Sequence, residues 1–336
     1  MTMEVLGVGL TVIALFVGFG LLIGILFGFF GMGGSFLVTP ALLVMGYPSR
    51  VAVGSGLAFV FGTSVIATIE HRNLGQVDYK LGVSMIVGTT LGIEVGKEIV
   101  LHLETLGLAG GIISVTYEAL GGSSDGGGVD HEAGADAAVD PDDIPDIAKR
   151  IQSYRVPPML TLRGGIQVSL WMVLAVAFAT GLLSGFLGVG GGFIRMPALF
   201  YLIGVPVPIA VGTDLFEIVF SGGIGSFLYA QSGGVDLSIV APLLAGSALG
   251  AQIGSAATGI VDEEGIKIYF GLMLLGGAVA VAFRQIGESF GIPVLNTVSL
   301  VLIIGAALLV SGAVVYSSVA AIRRREDAGR TSAGAD

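Results

Sequence analysis

The sequence predicts an all-α protein: a polytopic transmembrane helical bundle of two homologous repeats whose helices are broken by glycine. Three observations carry this. Hydrophobic residues make up 54% of the 336 positions and charged residues only 12%, whereas a soluble domain carries about 25% charged residues. Mean hydropathy is +0.92. Long apolar runs recur along the chain, and one half of the sequence repeats the other.

A spanning helix needs about 20 mostly apolar residues. The runs that qualify or nearly do are Val5–Phe27, Val51–Ile69, Leu81–Leu101, Leu106–Leu120, Ile166–Leu187, Ile209–Ala230, Leu237–Ile260, Ile266–Phe283 and Val294–Ala321. Two shorter stretches, Ser35–Met45 and Gly192–Ile203, each follow a glycine cluster and contain a proline. They are too short to cross alone. Whether they cross decides between parallel and inverted repeats, which the sequence leaves open.

The repeat emerges on aligning the halves. Gly28, Gly31, Gly33, Gly34 and Pro40 match Gly185, Gly188, Gly190, Gly191 and Pro197. Gly46, Pro48, Ala52 and Gly54 match Gly204, Pro206, Ala210 and Gly212, with one extra residue in the second copy before Gly204. Val77-Asp78 pairs with Val235-Asp236, and Gly88, Gly92 and Gly96 pair with Gly246, Gly250 and Gly254. So many matches in register argue for duplication. The chain then divides into a membrane repeat at 1–120, an acidic loop at 121–163 expected to be disordered, a second membrane repeat at 164–290, a further transmembrane helix at 291–322 and a tail at 323–336.

The net charge of −10 is concentrated in the loop, where Asp125, Asp130, Glu132, Asp136, Asp140, Asp142, Asp143 and Asp146 meet no Lys or Arg between Gly121 and Ala148. Acidic, glycine-rich stretches lack the apolar residues to fold. Such a loop, with only four lysines in the chain, also fits a halophile. Arg323-Arg324-Arg325 after the final span puts the C-terminus in the cytoplasm by the positive-inside rule, in a multi-pass cell-membrane protein. The long first apolar run without a basic leader argues against a cleaved signal peptide.

Several classes of function are disfavoured. Cysteine is absent, which excludes disulfides and thiolate chemistry. His71, His102 and His131 are scattered, without metal-ligand spacing, and read as solvated or interfacial. No catalytic, metal or cofactor site is expected, and the chain is not expected to be an enzyme or to bind nucleic acid. The GxGG clusters follow span-length apolar runs, which is the wrong context for a dinucleotide fingerprint.

The duplicated glycine clusters are the strongest candidate for a substrate site. In lipid, non-helical backbone survives only where it lines a cavity or is buried in protein. A broken helix offers free N–H groups and a positive dipole end, which bind anions. The same device in both halves is the pattern of a transporter site at a repeat interface. Two facing breaks are therefore expected near Gly31–Ser35 and Gly188–Gly192, involving Gly31, Gly33, Gly34, Ser35, Gly188, Gly190, Gly191 and Gly192. Close helix packing is the competing reading, and it is preferred for the Gly88/92/96 and Gly246/250/254 ladders.

Ionisable residues inside the apolar runs are the next candidates, because a charge at membrane depth normally faces a cavity or a partner. Arg195, three residues past the second cluster, is either an anion ligand or an interfacial arginine. Asp214 and Glu217 share one helix face and could carry protons, pair with Arg195 or lie at the interface. Glu94 is a weaker candidate beside Lys97 and Glu98. Ser55 and Thr213 occupy matching positions and could donate to an oxyanion. Thr63 and Ser64 more simply bond back to their own helix.

These residues resemble a known family. GMGGSFLVTPAL with VAVGS, and GVGGGFIRMPAL with IAVGT, look like the paired motifs of the sulfite exporter TauE/SafE family of membrane permeases. The likeness covers about residues 10–110 and 165–284. It implies a secondary permease, often an exporter, for small sulfur-containing anions such as sulfite or organosulfonates. The alternative on the same scaffold is a passive anion channel or facilitator. Ser35 replaces the third glycine of the first copy, and Arg195 and Asp214 stand where members more often have uncharged residues. The expected partners are the anion and the lipid bilayer, with homo-oligomerisation left open.

Overall fold

A computed structural model of the chain describes residues 4–5, 8–31, 35–113, 115–116, 156–162, 165, 167–188, 192–258, 260–261, 263–290 and 292–333. Apart from two small hairpins, the regular structure of the described residues is helical. The first half contains β1 (Glu4–Val5), β2 (Val8–Gly9), α1 (Leu10–Phe30), α2 (Ser35–Val44), α3 (Ser49–Asn73) and α4 (Tyr79–Thr105). After β3 (Met159–Thr161) and β4 (Gln167–Ser169), the second half contains α5 (Leu170–Leu187), α6 (Gly192–Pro197), a π-helical turn (Ala198–Ile203), α7 (Val207–Gln231) and α8 (Leu237–Thr258). Two further helices come next, α9 (Glu263–Phe290) and α10 (Pro293–Ala333).

Among the described residues, six helices are long and apolar enough to cross a membrane: Thr11–Phe30, Ser49–Asn73, Leu170–Leu187, Val207–Gln231, Leu237–Thr258 and Val294–Ala321. This makes the protein a multi-pass membrane protein. The 27-residue α4 matches them in length, but Glu94, Lys97, Glu98 and Glu104 fall in its second half. Lys97 is held there between Glu94 at 3.3 Å and Glu98 at 3.1 Å.

Several boundaries differ from the sequence expectation. The run from Val5 opens as the β1–β2 hairpin and becomes helical only at Leu10. The run from Ile166 likewise opens as β4, paired with β3. β-branched Val5, Val8 and Val168 suit extended pairing. β3 also gives the far end of the 121–163 segment a fixed partner, whereas the eight acids of that segment lie outside the described residues. The run Leu106–Leu120 yields no spanning helix among the described residues. Gly107, at φ +70, turns the chain out of α4; beyond the turn 109–113 and 115–116 are helical, while 114 and 117–120 lie outside the described residues. At the other end, α10 does not stop before the arginines: it continues through Arg323 to Ala333.

Packing obeys a reciprocal plan. Helix α1 lies mainly against α8, α4 against α5, α3 against α7, and α9 against α10. Glycine makes the first two pairs close. A Cβ on Gly246, Gly250 or Gly254 would run into the carbonyls of Val17, Leu21 and Ile25 on α1. A Cβ on Gly88, Gly92 or Gly96 would meet those of Leu174, Phe178 and Leu182 on α5. From the opposite side, Gly24 and Gly28 abut Ser247 and Ala251, while Gly181 and Gly185 abut Thr89 and Ile93. Each contact of one helix pair thus has a counterpart at the aligned position of the other. Backbones at this separation gain dispersion contacts that larger residues would forbid.

The extra residue of the second half also has a structural place. It falls between Pro197 and Gly204, and the chain there forms the π-helical turn Ala198–Ile203, whereas the shorter first half makes the ordinary helix Ser35–Val44. A π-turn is how a helix absorbs a one-residue insertion. Gly46 and Gly204, at φ +87 and +78, end both segments.

Candidate functional site

The first helix of each half ends in the same way. Helix α1 stops at Phe30 and α5 at Leu187; Gly31 and Gly188 come next at φ +68 and +75, a region that disfavours any side chain. Their N–H groups close the last turns onto Phe27 and Ser184. Both then press on the partner half: a Cβ on Gly31 would sit 2.8 Å from the Val211 carbonyl, and one on Gly188 2.8 Å from that of Val53. Helices α2 and α6 resume at Ser35 and Gly192. Gly33, Gly34, Gly190 and Gly191 lie outside the described residues, and so do the donors expected of them.

Helix α2 reaches the end of α5. Thr39 of α2 directs its Oγ1 at the Gly188 carbonyl, 3.5 Å away. A Cβ on Gly56 of α3 would contact both of these atoms. Thr39 of α2, Gly56 of α3 and Gly188 at the end of α5 therefore meet at one point.

Arg195 is fully buried, which removes the interfacial reading. Its Nε pairs with Asp214 Oδ1, and its Nη1 lies 2.5 Å from Glu217 Oε2. Asp214 and Glu217 are also fully buried. Ser221 Oγ donates to Glu217 Oε2 at 3.0 Å. Asp214, Glu217 and Ser221 fall at i, i+3 and i+7 of α7, on one face. Val211, which backs onto Gly31, is one turn earlier on the same face. The ionic cluster is thus tied to both ends: Arg195 lies just past the second glycine cluster, and its acidic partners continue the face that touches the first.

Ser55 and Thr213 serve as helix junctions. Ser55 Oγ accepts the Asp236 N–H at 3.0 Å, and Thr213 Oγ1 accepts the Asp78 N–H at 2.9 Å. Each hydroxyl of one half thereby holds the residue that precedes α8 or opens α4 in the other. Ser64 bonds back to Phe61 as expected, whereas Thr63 Oγ1 lies 2.8 Å from Ser247 Oγ on α8.

His71 corrects the sequence expectation. It is fully buried, not solvated. Its Nε2 lies 3.0 Å from the Gly28 carbonyl, and its Nδ1 2.6 Å from Gln76 Oε1. At the aligned position, Tyr229 donates to the Gly185 carbonyl at 2.6 Å. Thr258 adds a donor to Phe29 O at 2.9 Å. Carbonyls in the last turn of a helix lack intrahelical donors, and at this depth no water replaces them. The sequence contained one usable signal: His71 and Tyr229 share a place in the alignment that pairs Gly28 with Gly185.

Apolar helices of spanning length, packed around fully buried charges, define a multi-pass membrane protein. Over residues 16–283 the chain matches the family described as sulfite exporter TauE/SafE, and it belongs to that family. It is similar to a "Probable membrane transporter protein" of Xylella fastidiosa (strain 9a5c), with 27% identity over 275 residues, covering 80% of this chain and 94% of the relative. It is also similar to the "Probable membrane transporter protein YunE" of Bacillus subtilis (strain 168), with 24% identity over 266 residues, covering 76% and 92%. A third relative is the "Probable membrane transporter protein MJ0441" of Methanocaldococcus jannaschii, 25% identical over 256 residues, covering 70% and 83%. No solved structure matches the chain.

Proposed function

We propose that the chain is a secondary transporter of small sulfur-containing anions, such as sulfite or organosulfonates, working in the cell membrane with a cytoplasmic C-terminus. In this reading the two halves are copies of one unit. The anion binds between their glycine-rich helix interruptions, to backbone N–H groups of Gly31–Ser35 and Gly188–Gly192 and to the Arg195 guanidinium. The observation that carries the reading is the position of Arg195: fully buried, just past one interruption, and paired with a helix face that touches the other. An arginine fork matches an oxyanion's geometry. The reciprocal glycine contacts support the two-copy plan. Ser55 and Thr213, already accepting backbone N–H groups, keep one hydroxyl proton each, and so remain secondary donors.

The test is flux into proteoliposomes for sulfite, sulfate, thiosulfate and sulfonates, with and without a pH gradient. Saturable flux of one or more of these anions is expected, and it should be lost in Arg195→Gln. Absence of flux for all of them would overturn the substrate class. Flux that never saturates would instead identify a passive channel.

A further inference from the structure

The Arg195 cluster has an imbalance of charge. One guanidinium faces two carboxylates, and all three are fully buried. Helix α3 has no titratable residue between Arg50 and Glu70, and α5 has none at all. On α4, Asp78 accepts the N–H groups of Lys80 and Leu81 at its own helix start, and Lys97 is held by Glu94 and Glu98. Within the cluster, Asp214 Oδ2 and Glu217 Oε1 are buried without a hydrogen-bond partner among the described residues. A buried, bare carboxylate oxygen is costly unless something neutralises it.

Resting on the transporter reading above, we propose that Asp214 and Glu217 are built-in substitutes for the transported anion, so that protons and anion enter together. With both carboxylates ionised, they occupy the arginine fork and give the cluster a net negative charge, which repels an incoming anion. Protonating Asp214 and Glu217 turns each into a neutral acid and leaves the guanidinium as the sole charge. An anion then takes the vacated fork. Each anion that binds carries two protons into the site, and on its departure the carboxylates close on Arg195 again. No covalent bond changes beyond the two O–H bonds formed and broken. By linkage, the anion raises the proton affinity of the pair by the same factor as the protons raise that of the anion. The first half has Gly56 and Phe59 at the aligned positions, so the device belongs to the second half alone.

The experiment measures binding of methanesulfonate and of thiosulfate to the purified full-length protein across about pH 5–9, a range where both probes keep a constant charge. Affinity should fall as pH rises, by about tenfold per unit for each proton taken up. The slope should shrink in Asp214→Asn and vanish in the isosteric double variant Asp214→Asn/Glu217→Gln, which should bind equally at every pH. Addition of the anion to wild-type proteoliposomes should also draw protons inward, read by an entrapped pH dye. This arm does not depend on any variant folding. A flat wild-type profile, an undiminished slope in the double variant, or flux without proton movement would overturn the coupling while leaving the transporter intact. Failure of either probe to bind at any pH would overturn the site reading itself.

Discussion

The Tyr229 hydroxyl donates a 2.6 Å hydrogen bond to the carbonyl of Gly185, a turn before α5 ends. In the other half His71 meets the equivalent carbonyl, Gly28. Tyr229→Phe keeps the ring and removes only the donor. It is expected to destabilise the protein by about 1–3 kcal/mol, the cost of leaving a buried polar group without its partner. Thermal unfolding in detergent, compared with wild type, checks this; an unchanged melting temperature would mean that the bond contributes nothing net.

Arg195→Gln removes the cation that pairs with two buried carboxylates, Asp214 and Glu217. Breaking a buried ion pair from one side costs about 3–5 kcal/mol, so the variant should melt lower. Arg195→Lys should restore charge but only part of the affinity for anions, because an ammonium cannot make the two-point contact of a guanidinium. Equal binding by lysine and arginine would exclude the fork as the anion's ligand.

Gly250→Ala drives a methyl into the Leu21 carbonyl on α1. Overpacking of this kind costs about 1–3 kcal/mol. Gly18→Ala on the same α1 faces open space and should be neutral or gain up to about 1 kcal/mol of helix propensity. Comparing the yield of monodisperse protein and the unfolding temperature of the two variants separates helix packing from a general intolerance of change.

Gly191→Leu should abolish anion binding while leaving membrane insertion intact, since a bulky side chain would fill the interruption proposed to hold the anion. Binding assayed on the properly inserted, monodisperse protein decides it. Persistent binding would remove the glycine-rich interruption from the site.

Much of the helical framework was legible because its causes are local. A run of twenty apolar residues or a glycine every fourth position is visible without knowing what lies opposite. The ladders' contacts with α1 and α5 are what four-residue spacing implies. The one-residue excess before Gly204 is also a local fact, although its form as a π-turn depends on the helix continuing around it. What sequence could not supply was the identity of cross-helix partners. His71 reads as a polar residue near a helix end until Gly28 is brought to its ring. The N–H groups of Asp236 and Asp78, which the hydroxyls of Ser55 and Thr213 accept, come from the other half and could not be assigned from sequence. Arg195 had two readings, and only its burial beside Asp214 and Glu217 separates them. The hairpins that include Val5 and Val168 were hidden because apolar β-branched residues fit either a strand or a span.

The pairing of α1 with α8 has a consequence for how the protein is made. Thr258 reaches the carbonyl of Gly28 across 230 positions, so the amino-terminal helix leaves the ribosome long before its mate is synthesised. Until then its glycine-lined groove must face lipid or a temporary companion. Such distant contacts close late, and the final fit of α1 should therefore coincide with the insertion of α8. A nascent chain truncated before Leu237 would leave α1 open to quality-control proteases, which makes α8 the step that commits the chain to its mature form.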